Sequence, residues 1–425
     1  MNRRRFIQTG ALALVAAAPS CVWTPRRSGN NAIAAAFDGE MDTFMSARQI
    51  PGGALAVVKD RRLIYVRGYG WADRERKIPT QPDSLFRIAS VSKPITSVAI
   101  LKLIEEKRLT PETKAFELLN LTPAVASFRD PEPRLRQITI QHLLHHVAGW
   151  DRDKSFDPMF RSDEIARATH SPRPAAPENI IRYMLSRPLD FAPGERYAYS
   201  NFGYCVLGRV IEKVTGHPYE QFMREKILAP IGVTRMRIGA TLDGKQAPGE
   251  VRYYTKDNGT AKNVFPGGQE KVPWPYGGFC LESMDAHGGW VASAIDLARF
   301  AAALGDPLRS PLLKAATLEQ MYAPPPPPVA RKENGSLESS YYGCGWAVRP
   351  VDKTGRSNYW HSGSLPGTST LLVRRWDGLS WVALFNQRSD DKKLPDNDID
   401  AALHRAAAAV KEWPEENLFP QWQKS

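Results

Sequence analysis

The chain has 425 residues, which is long enough to bury a large hydrophobic core. Hydrophobic residues make up 42% of the sequence and charged residues 24%, a balance that is typical of globular proteins and excludes a disordered chain. The formal charge is +12, but the basic residues are scattered and lack the interleaved aromatic residues of a nucleic-acid groove. We therefore expect no nucleic-acid partner.

The N-terminus has the features of an export signal. Residues 2–8 read Asn-Arg-Arg-Arg-Phe-Ile-Gln, which resembles the twin-arginine motif, and an apolar stretch too short to span a bilayer follows. The sequence predicts a signal peptide over residues 1–20 and a periplasmic or cell-envelope location, with no transmembrane span in the mature form. Lipidation of Cys21 is an alternative to simple secretion, and secretion is the preferred interpretation.

A helix and a hairpin are predicted to open the mature chain. Residues 32–47 are rich in alanine and carry Phe and Met at helical spacing, which predicts an amphipathic helix. Residues 54–58 and 63–69 are β-rich runs joined by a short charged segment, which predicts an antiparallel hairpin.

Ser90 and Lys93 form an S-x-x-K pair just ahead of an apolar run. Proline is tolerated in the first turn of a helix, so Pro94 places the helix start close to Ser90. Residues three apart share a helix face, and a lysine at such a site is partly desolvated and can accept the serine proton. The ordinary alternative is a capping serine with a solvated lysine.

The periodicity from about residue 110 to 239 is mostly helical and predicts a helical lobe. His142 and His146 have the i, i+4 spacing of a zinc pair, but there is no H-E-x-x-H glutamate and no third ligand, so a structural role is preferred. Within this lobe Tyr199-Ser200-Asn201 forms a Y-x-N element, which is also compatible with an ordinary helix entry.

The remainder of the chain returns to strands. Residues 243–274 show little periodicity and predict a long surface excursion, and Ser293 with Asp296 predicts a capping box. His287 is interpreted either as a residue of the cleft mouth or as a turn histidine. Four strands and a final helix are predicted at residues 345–349, 358–361, 370–375, 380–385 and 399–411, with Asp377-Gly378 as a hairpin turn.

Cysteine is scarce, and the spacing contains neither a C-x-x-C pair nor a metal-ligand pattern. Buried free thiols at Cys205, Cys280 and Cys344 are the default expectation. A Cys280–Cys344 bridge is an alternative for an oxidising compartment. We expect neither a metal nor another cofactor.

Three ordered motifs give the chain a family resemblance: Ser90 with Lys93, Tyr199 with Asn201, and His361-Ser362-Gly363. From about residue 34 to 410 the chain resembles the class C β-lactamase and family VIII carboxylesterase group of penicillin-recognising serine hydrolases. The resemblance implies an α+β fold of the β-lactamase/transpeptidase type, in which an antiparallel sheet built from both termini is flanked by helices and carries an inserted helical lobe. The hydrolase domain would span residues 32–411, with the cleft between sheet and lobe.

The resemblance also implies roles for four side chains. Ser90 would attack a carbonyl carbon, and Lys93 and Tyr199 would share the serine proton as a coupled pair. Asn201 would hydrogen-bond the substrate or orient Lys93. Which of the two proton carriers is the base stays open at this point.

The third motif differs from the lactamase pattern because His361 stands where those relatives have lysine. The resemblance implies that Gly363 belongs to this motif and that the backbone N–H groups of Ser90 and Ser364 form the oxyanion hole. A histidine is mostly neutral at pH 7, which favours neutral ester or amide substrates over carboxylates, and a charged His361 would favour anionic substrates as the pH falls.

The leading prediction is a carboxylesterase acting on a small-molecule ester through an acyl-serine intermediate. The alternatives are a β-lactamase or D-amino-acid peptidase, with a lactam or amide substrate, and a catalytically silent envelope-binding protein. The sequence does not predict an oligomeric state.

Overall fold

The computed structural model describes residues 31–124, 132–352 and 354–422. The predicted signal peptide and Cys21 lie outside these residues. The strands are β1 (Gly52–Lys59), β2 (Arg62–Asp73), β3 (Ile78–Pro79), β4 (Phe86–Arg87), β5 (Arg237–Ile238), β6 (Thr260–Lys262), β7 (Lys271–Pro273), β8 (Trp290–Ala292), β9 (Tyr341–Tyr342), β10 (Ala347–Pro350), β11 (Ser357–Leu365), β12 (Thr368–Arg374) and β13 (Leu379–Phe385).

The α-helices are α1 (Asn31–Arg48), α2 (Ser92–Glu105), α3 (Ala115–Leu119), α4 (Ile140–Leu144), α5 (Ser162–Ala168), α6 (Pro177–Met184), α7 (Asn201–Thr215), α8 (Tyr219–Met223), α9 (Asp285–Gly288), α10 (Ala294–Ala303), α11 (Ala315–Tyr322) and α12 (Asp398–Ala409). Six of them, α3 to α8, fall within the lobe that the sequence predicts. None of the described helices is long and apolar enough to cross a membrane.

An eight-stranded sheet runs through the molecule in the order β3-β2-β1-β13-β12-β11-β10-β9. Each neighbouring pair is antiparallel, and β1 pairs with β13 so that Gly53 lies opposite Phe385. The two ends of the chain therefore share one sheet, as predicted. The strands β2 and β11 are longer than the sequence indicated, and β9 was not predicted.

Successive side chains of β1 point to opposite faces of the sheet, and this divides the core into two layers. Leu55 and Val57 join a buried cluster with Phe37 of α1 and Leu403 of α12, on one face of the sheet. Ala54, Ala56 and Val58 join the other cluster, which contains the apolar side chains of α2 and α10. Because α2 is apolar on most sides it is buried almost throughout, as expected for a central helix.

The predicted surface excursion is partly wrong. Within it β6 and β7 form a short antiparallel pair, but Tyr253 is buried and its hydroxyl accepts a hydrogen bond from the Arg87 backbone N–H at 2.7 Å. The Arg87 guanidinium donates to the Pro275 carbonyl, also at 2.7 Å. Hydrophobic periodicity does not detect this burial, because the segment packs through individual aromatic side chains. Through these contacts the segment holds β4, the strand that leads into Ser90.

Two local predictions are confirmed. Ser293 and Asp296 form a capping box at the start of α10, and the turn between β12 and β13 places Gly378 at a φ of 83°, in the left-handed region that glycine tolerates.

The cysteines at 205, 280 and 344 are free and buried, so the default expectation holds and the Cys280–Cys344 bridge is not formed.

Candidate active site

Ser90 lies on a sharp turn between β4 and α2. A 3-10 helix spans Ala89–Val91, and α2 begins at Ser92, as Pro94 predicted. Ala89 has a φ of 47°, which costs a residue with a Cβ about 1–2 kcal/mol. The Ser92 hydroxyl donates to the Ala89 carbonyl at 2.7 Å and supports the turn. Ser90 remains partly exposed at the surface of an otherwise buried segment.

Lys93 is fully buried and its amine faces three oxygen atoms. Its Nζ lies 3.2 Å from the Ser90 Oγ, 2.8 Å from the Asn201 Oδ1 and 3.0 Å from the His287 carbonyl oxygen. Burial holds the pKa of Lys93 well below its usual value, with Arg152 adding to this and Asp157 opposing it. A neutral amine can donate to the amide and the carbonyl, which leaves its lone pair for the Ser90 hydroxyl.

Asn201 connects Lys93 to a carboxylate that the sequence analysis missed. The Asn201 side chain stands at the start of α7, where Ser200 caps the helix by accepting from the Gly203 N–H. Its Nδ2 donates to the Asp157 Oδ2 at 2.6 Å, while its Oδ1 accepts from Lys93. Both interpretations of the Y-x-N element therefore hold, because one segment caps a helix and orients Lys93.

The Tyr199 ring lies between several site residues. Its centroid is 4.7 Å from the Lys93 Nζ, 4.9 Å from the Arg152 Cζ and 4.4 Å from the His146 ring centroid. Burial raises the pKa of Tyr199 above its usual value of 10, and the Ser90 hydroxyl and Arg152 oppose this shift only in part. Tyr199 is thus a neutral phenol near pH 7.

Strand β11 closely approaches the nucleophile turn at Gly363. A Cβ at Gly363 would lie 2.4 Å from the Ile88 carbonyl oxygen and 2.2 Å from the Thr370 Oγ1. Thr370 donates to the same Ile88 oxygen at 2.9 Å, which ties β12 to the turn. Ser364 is exposed beside this contact and pairs with Ser369 of β12. Only glycine permits the two segments to come this close.

His361 is buried, and both of its ring nitrogens are engaged. The Nδ1 lies 2.7 Å from the Ser362 carbonyl oxygen and the Nε2 lies 2.9 Å from the Tyr342 hydroxyl. A carbonyl can only accept, so Nδ1 carries the proton and Nε2 accepts from Tyr342. Burial, aided by Lys93, lowers the pKa of His361 to about 3. The ring is therefore neutral near pH 7, and it does not titrate there.

The two histidines with zinc-like spacing have structural contacts. His142 caps α4 with Thr139, and His146 accepts from the Ser200 N–H through its Nδ1 at 3.2 Å. Among residues 31–124, 132–352 and 354–422 no cluster of His, Cys, Asp or Glu has the arrangement of a metal site. The cleft-mouth interpretation of His287 is wrong, because this residue is buried beneath Lys93 and contributes its carbonyl oxygen.

The structure thus brings Ser90, Lys93, Tyr199 and Asn201 together, with Gly363 against the nucleophile turn. Sequence reasoning missed three neighbouring side chains, which are Asp157, Arg152 and Tyr342. Each lies on a loop or a short strand without a motif. The one available signal was Asp157 before Pro158, which is a helix-capping pattern, and Asp157 does accept from the Met159 N–H.

A serine on a tight turn, a buried lysine three residues later and a tyrosine beside both define a serine hydrolase site on a β-lactamase/transpeptidase-like fold. The family model described as Beta-lactamase matches residues 37–406, and the chain belongs to this family. The family comprises serine hydrolases, and this chain is one of them.

Three known proteins illustrate the relationship. Penicillin-binding protein 4* of Bacillus subtilis (strain 168) is 27% identical over 367 residues, which cover 85% of this chain and 74% of that protein. Esterase EstB of Burkholderia gladioli is 32% identical over 208 residues, which cover 47% of this chain and 50% of the esterase. The structure of D-amino acid amidase from Ochrobactrum anthropi SV3, complexed with L-phenylalanine amide, matches with a TM-score of 0.65 at 22% identity, covering 90% of this chain and 98% of the amidase.

Proposed function

We propose that this serine hydrolase is a carboxylesterase that cleaves neutral short-acyl esters through an acyl-Ser90 intermediate. The observation that carries the proposal is the buried Lys93 amine, 3.2 Å from the Ser90 Oγ, with a pKa held well below its usual value. An amine that is neutral near the working pH can accept the serine proton as the hydroxyl attacks.

The two pKa shifts suggest how the proton moves. Lys93 is shifted towards its neutral base form and Tyr199 towards its neutral acid form. In the proposed sequence Ser90 attacks the carbonyl carbon, Lys93 takes the proton, and Tyr199 donates a proton to the leaving alcohol and regains one from Lys93. Water then attacks the acyl-enzyme by the reverse route. The backbone N–H groups of Ser90 and Ser364 would stabilise the oxyanion.

The preference for a neutral ester rests on His361. Its ring is neutral and both nitrogens are engaged within the protein, so the third motif offers no fixed charge to a substrate carboxylate. The similarity to esterase EstB supports the same choice, although it spans half of that protein.

Arg152 favours a second candidate, which is a hydrolase for carboxylate-bearing lactams or D-peptides. Its guanidinium lies beside Tyr199, it is 43% exposed, and its ion pair is with the neighbouring Asp153 at 4.0 Å. Such a cation is available to a substrate carboxylate. The similarity to penicillin-binding protein 4* is consistent with this candidate.

A substrate panel separates the candidates. Values of kcat/KM would be measured for p-nitrophenyl butyrate, a chromogenic cephalosporin and a D-Ala-D-Ala peptide, in the wild type and in Arg152→Gln. The esterase proposal predicts that the butyrate ester is the best substrate and that it remains the best of the three in Arg152→Gln. A better lactam or peptide substrate, with kcat/KM about tenfold lower in Arg152→Gln, would favour the second candidate. Arg405→Gln, an exposed arginine paired with Glu40, serves as the control.

We also propose that the protein is exported by the twin-arginine route to the periplasm or cell envelope. The proposal rests on residues 2–8 of the sequence. Replacing Arg3 and Arg4 by lysine keeps the charge but removes the pair, so the precursor should remain in the cytoplasm. Unchanged export of this variant in cell fractionation would contradict the proposal.

A further inference from the structure

A second concavity lies at the far end of the sheet from Ser90. It encloses about 1110 Å³ and is bordered by the ends of β1, β12 and β13 and by α10 and α11. β12 reaches both places, because Thr370 contacts the nucleophile turn and Arg374 lines the concavity. Four residues of strand span about 13 Å. The two sites are therefore distinct.

The wall of this concavity is strongly cationic. Of the described residues, seven arginines line it, against three acidic side chains, Asp60, Asp306 and Glu319. Some of these arginines have carboxylate partners; Arg309, for example, lies 3.7 Å from Asp306. Arg356 and Arg375 pair with Asp352 and Asp377, and the charge of Asp296 acts on Arg299 without an ion pair. Among the described residues Arg374 has no carboxylate within ion-pair distance, so its positive charge is not balanced locally.

Arg374 is the clearest example of a cation without a carboxylate partner, because its side chain is buried, with only 7% exposure. One Nη donates to the Tyr322 hydroxyl, and the guanidinium lies 5.6 Å from the ring centroids of Tyr322 and Tyr359. Its Nε is buried and has no hydrogen-bond partner among the residues that the structure describes. A buried cation without a counter-charge is costly, and a bound anion would remove much of that cost.

Arg299 adds a second donor to the lining of the concavity. It lies on α10, and its Nη2 donates to the Phe419 carbonyl at 2.9 Å, which leaves its other N–H groups available. Guanidinium groups bind the oxygens of phosphate in a bidentate manner, and a doubly charged group fits a wall with several excess arginines better than a single carboxylate does.

We propose that this concavity is a second ligand site, which binds a small molecule through a phosphate group held by Arg374 and Arg299. The Tyr322 hydroxyl, which accepts from Arg374, keeps its own proton to donate to a phosphate oxygen. The volume exceeds that of a phosphate ion, so the site accommodates a phosphorylated organic molecule.

Calorimetry on the full chain tests the proposal, with inorganic phosphate and pyrophosphate as probes and chloride at equal ionic strength as the reference. The wild type should bind both probes at one saturable site. Arg374→Gln and Arg299→Gln should each weaken pyrophosphate binding by about tenfold or more. Arg76→Gln, which alters an exposed arginine away from the concavity, should not change the affinity.

Two further variants locate the bound probe. Ser90→Ala and Arg152→Gln should keep the wild-type pyrophosphate affinity, because both positions belong to the candidate active site. The absence of saturable binding would overturn the proposal, as would an affinity lost in Arg152→Gln and retained in the two concavity variants. If Arg374→Gln does not fold, Arg299→Gln provides the same comparison. Wild-type affinity in that variant would also overturn the proposal.

Discussion

Lys93 lies one helical turn from Ser90, with its Nζ 3.2 Å from the Ser90 Oγ and no solvent exposure. The Lys93 amine also hydrogen-bonds the Asn201 side chain and the His287 backbone carbonyl. These two bonds fix the amine so that its remaining hydrogen-bonding position faces the Ser90 hydroxyl. This geometry allows a neutral lysine to act as a base without a histidine in the role.

Replacing Lys93 by methionine should reduce kcat/KM for p-nitrophenyl butyrate by about 10²- to 10⁴-fold, because the proton acceptor is lost. Methionine has a similar volume but leaves the Asn201 Oδ1 and the His287 carbonyl without their donor, which costs about 1–3 kcal/mol of unfolding free energy for each acceptor. Activity is therefore compared at a temperature where both proteins are folded. Lys102→Met is the matched control on the same helix, where Lys102 pairs with Glu106 near the surface. Equal activity in wild type and Lys93→Met would show that Lys93 is not the base.

Asp157→Asn should shift the acid limb of the pH dependence of kcat/KM to lower pH. The Asp157 charge raises the pKa of Lys93, so removing that charge lowers this pKa further. Activity requires neutral Lys93, which exists above its pKa, and the rise of activity therefore begins at a lower pH. Asparagine keeps one acceptor, for the Met159 N–H, but places an NH2 group where the Asp157 Oδ2 accepts from the Asn201 Nδ2. The plateau of kcat/KM should therefore fall as well, and the position of the acid limb is the readout.

The control for this profile is Asp153→Asn, because the Asp153 side chain is 93% exposed. Its pH profile should coincide with that of the wild type. A limb that stays in place or moves to higher pH in Asp157→Asn would argue against Lys93 as the group that controls it.

Gly363→Ala should lower both stability and activity. The new Cβ would meet the Ile88 carbonyl and the Thr370 hydroxyl at less than 3 Å, so β11 has to move away from the nucleophile turn. Overpacking of this kind costs about 1–3 kcal/mol of unfolding free energy. Gly39→Ala on α1, where a Cβ meets nothing within 4 Å, should be neutral or slightly stabilising. Denaturant unfolding of both variants measures the change in unfolding free energy. Equal stability of Gly363→Ala and the wild type would contradict the close-contact explanation.

Local patterns were sufficient for much of the fold. The apolar run after Pro94, the capping box at Ser293 and the Asp377-Gly378 turn are each encoded within a few residues, and each was predicted correctly. The segment around Tyr253 was not, because it is held by contacts with Arg87 more than 160 residues away.

The candidate site shows the same difference between features set by neighbouring residues and features set by contacts distant in the sequence. Ser90 and Lys93 are close in sequence and could be paired from their spacing, whereas Asp157 and Tyr342 meet Asn201 and His361 only after folding. The neutrality of His361 likewise depends on burial, and its tautomer depends on the Ser362 carbonyl, and spacing reveals neither. The sequence therefore indicated the type of chemistry, and the fold supplies the electrostatics that the proposed mechanism uses.

The most direct test of the proposed mechanism is mass spectrometry after reaction with a fluorophosphonate probe. The wild type should gain one adduct, located by peptide mapping at Ser90. Labelling should disappear in Ser90→Ala, slow markedly in Lys93→Met, and persist at the wild-type rate in Lys102→Met. A folded wild-type protein that remains unlabelled, or that is labelled at another residue, would contradict Ser90 as the nucleophile.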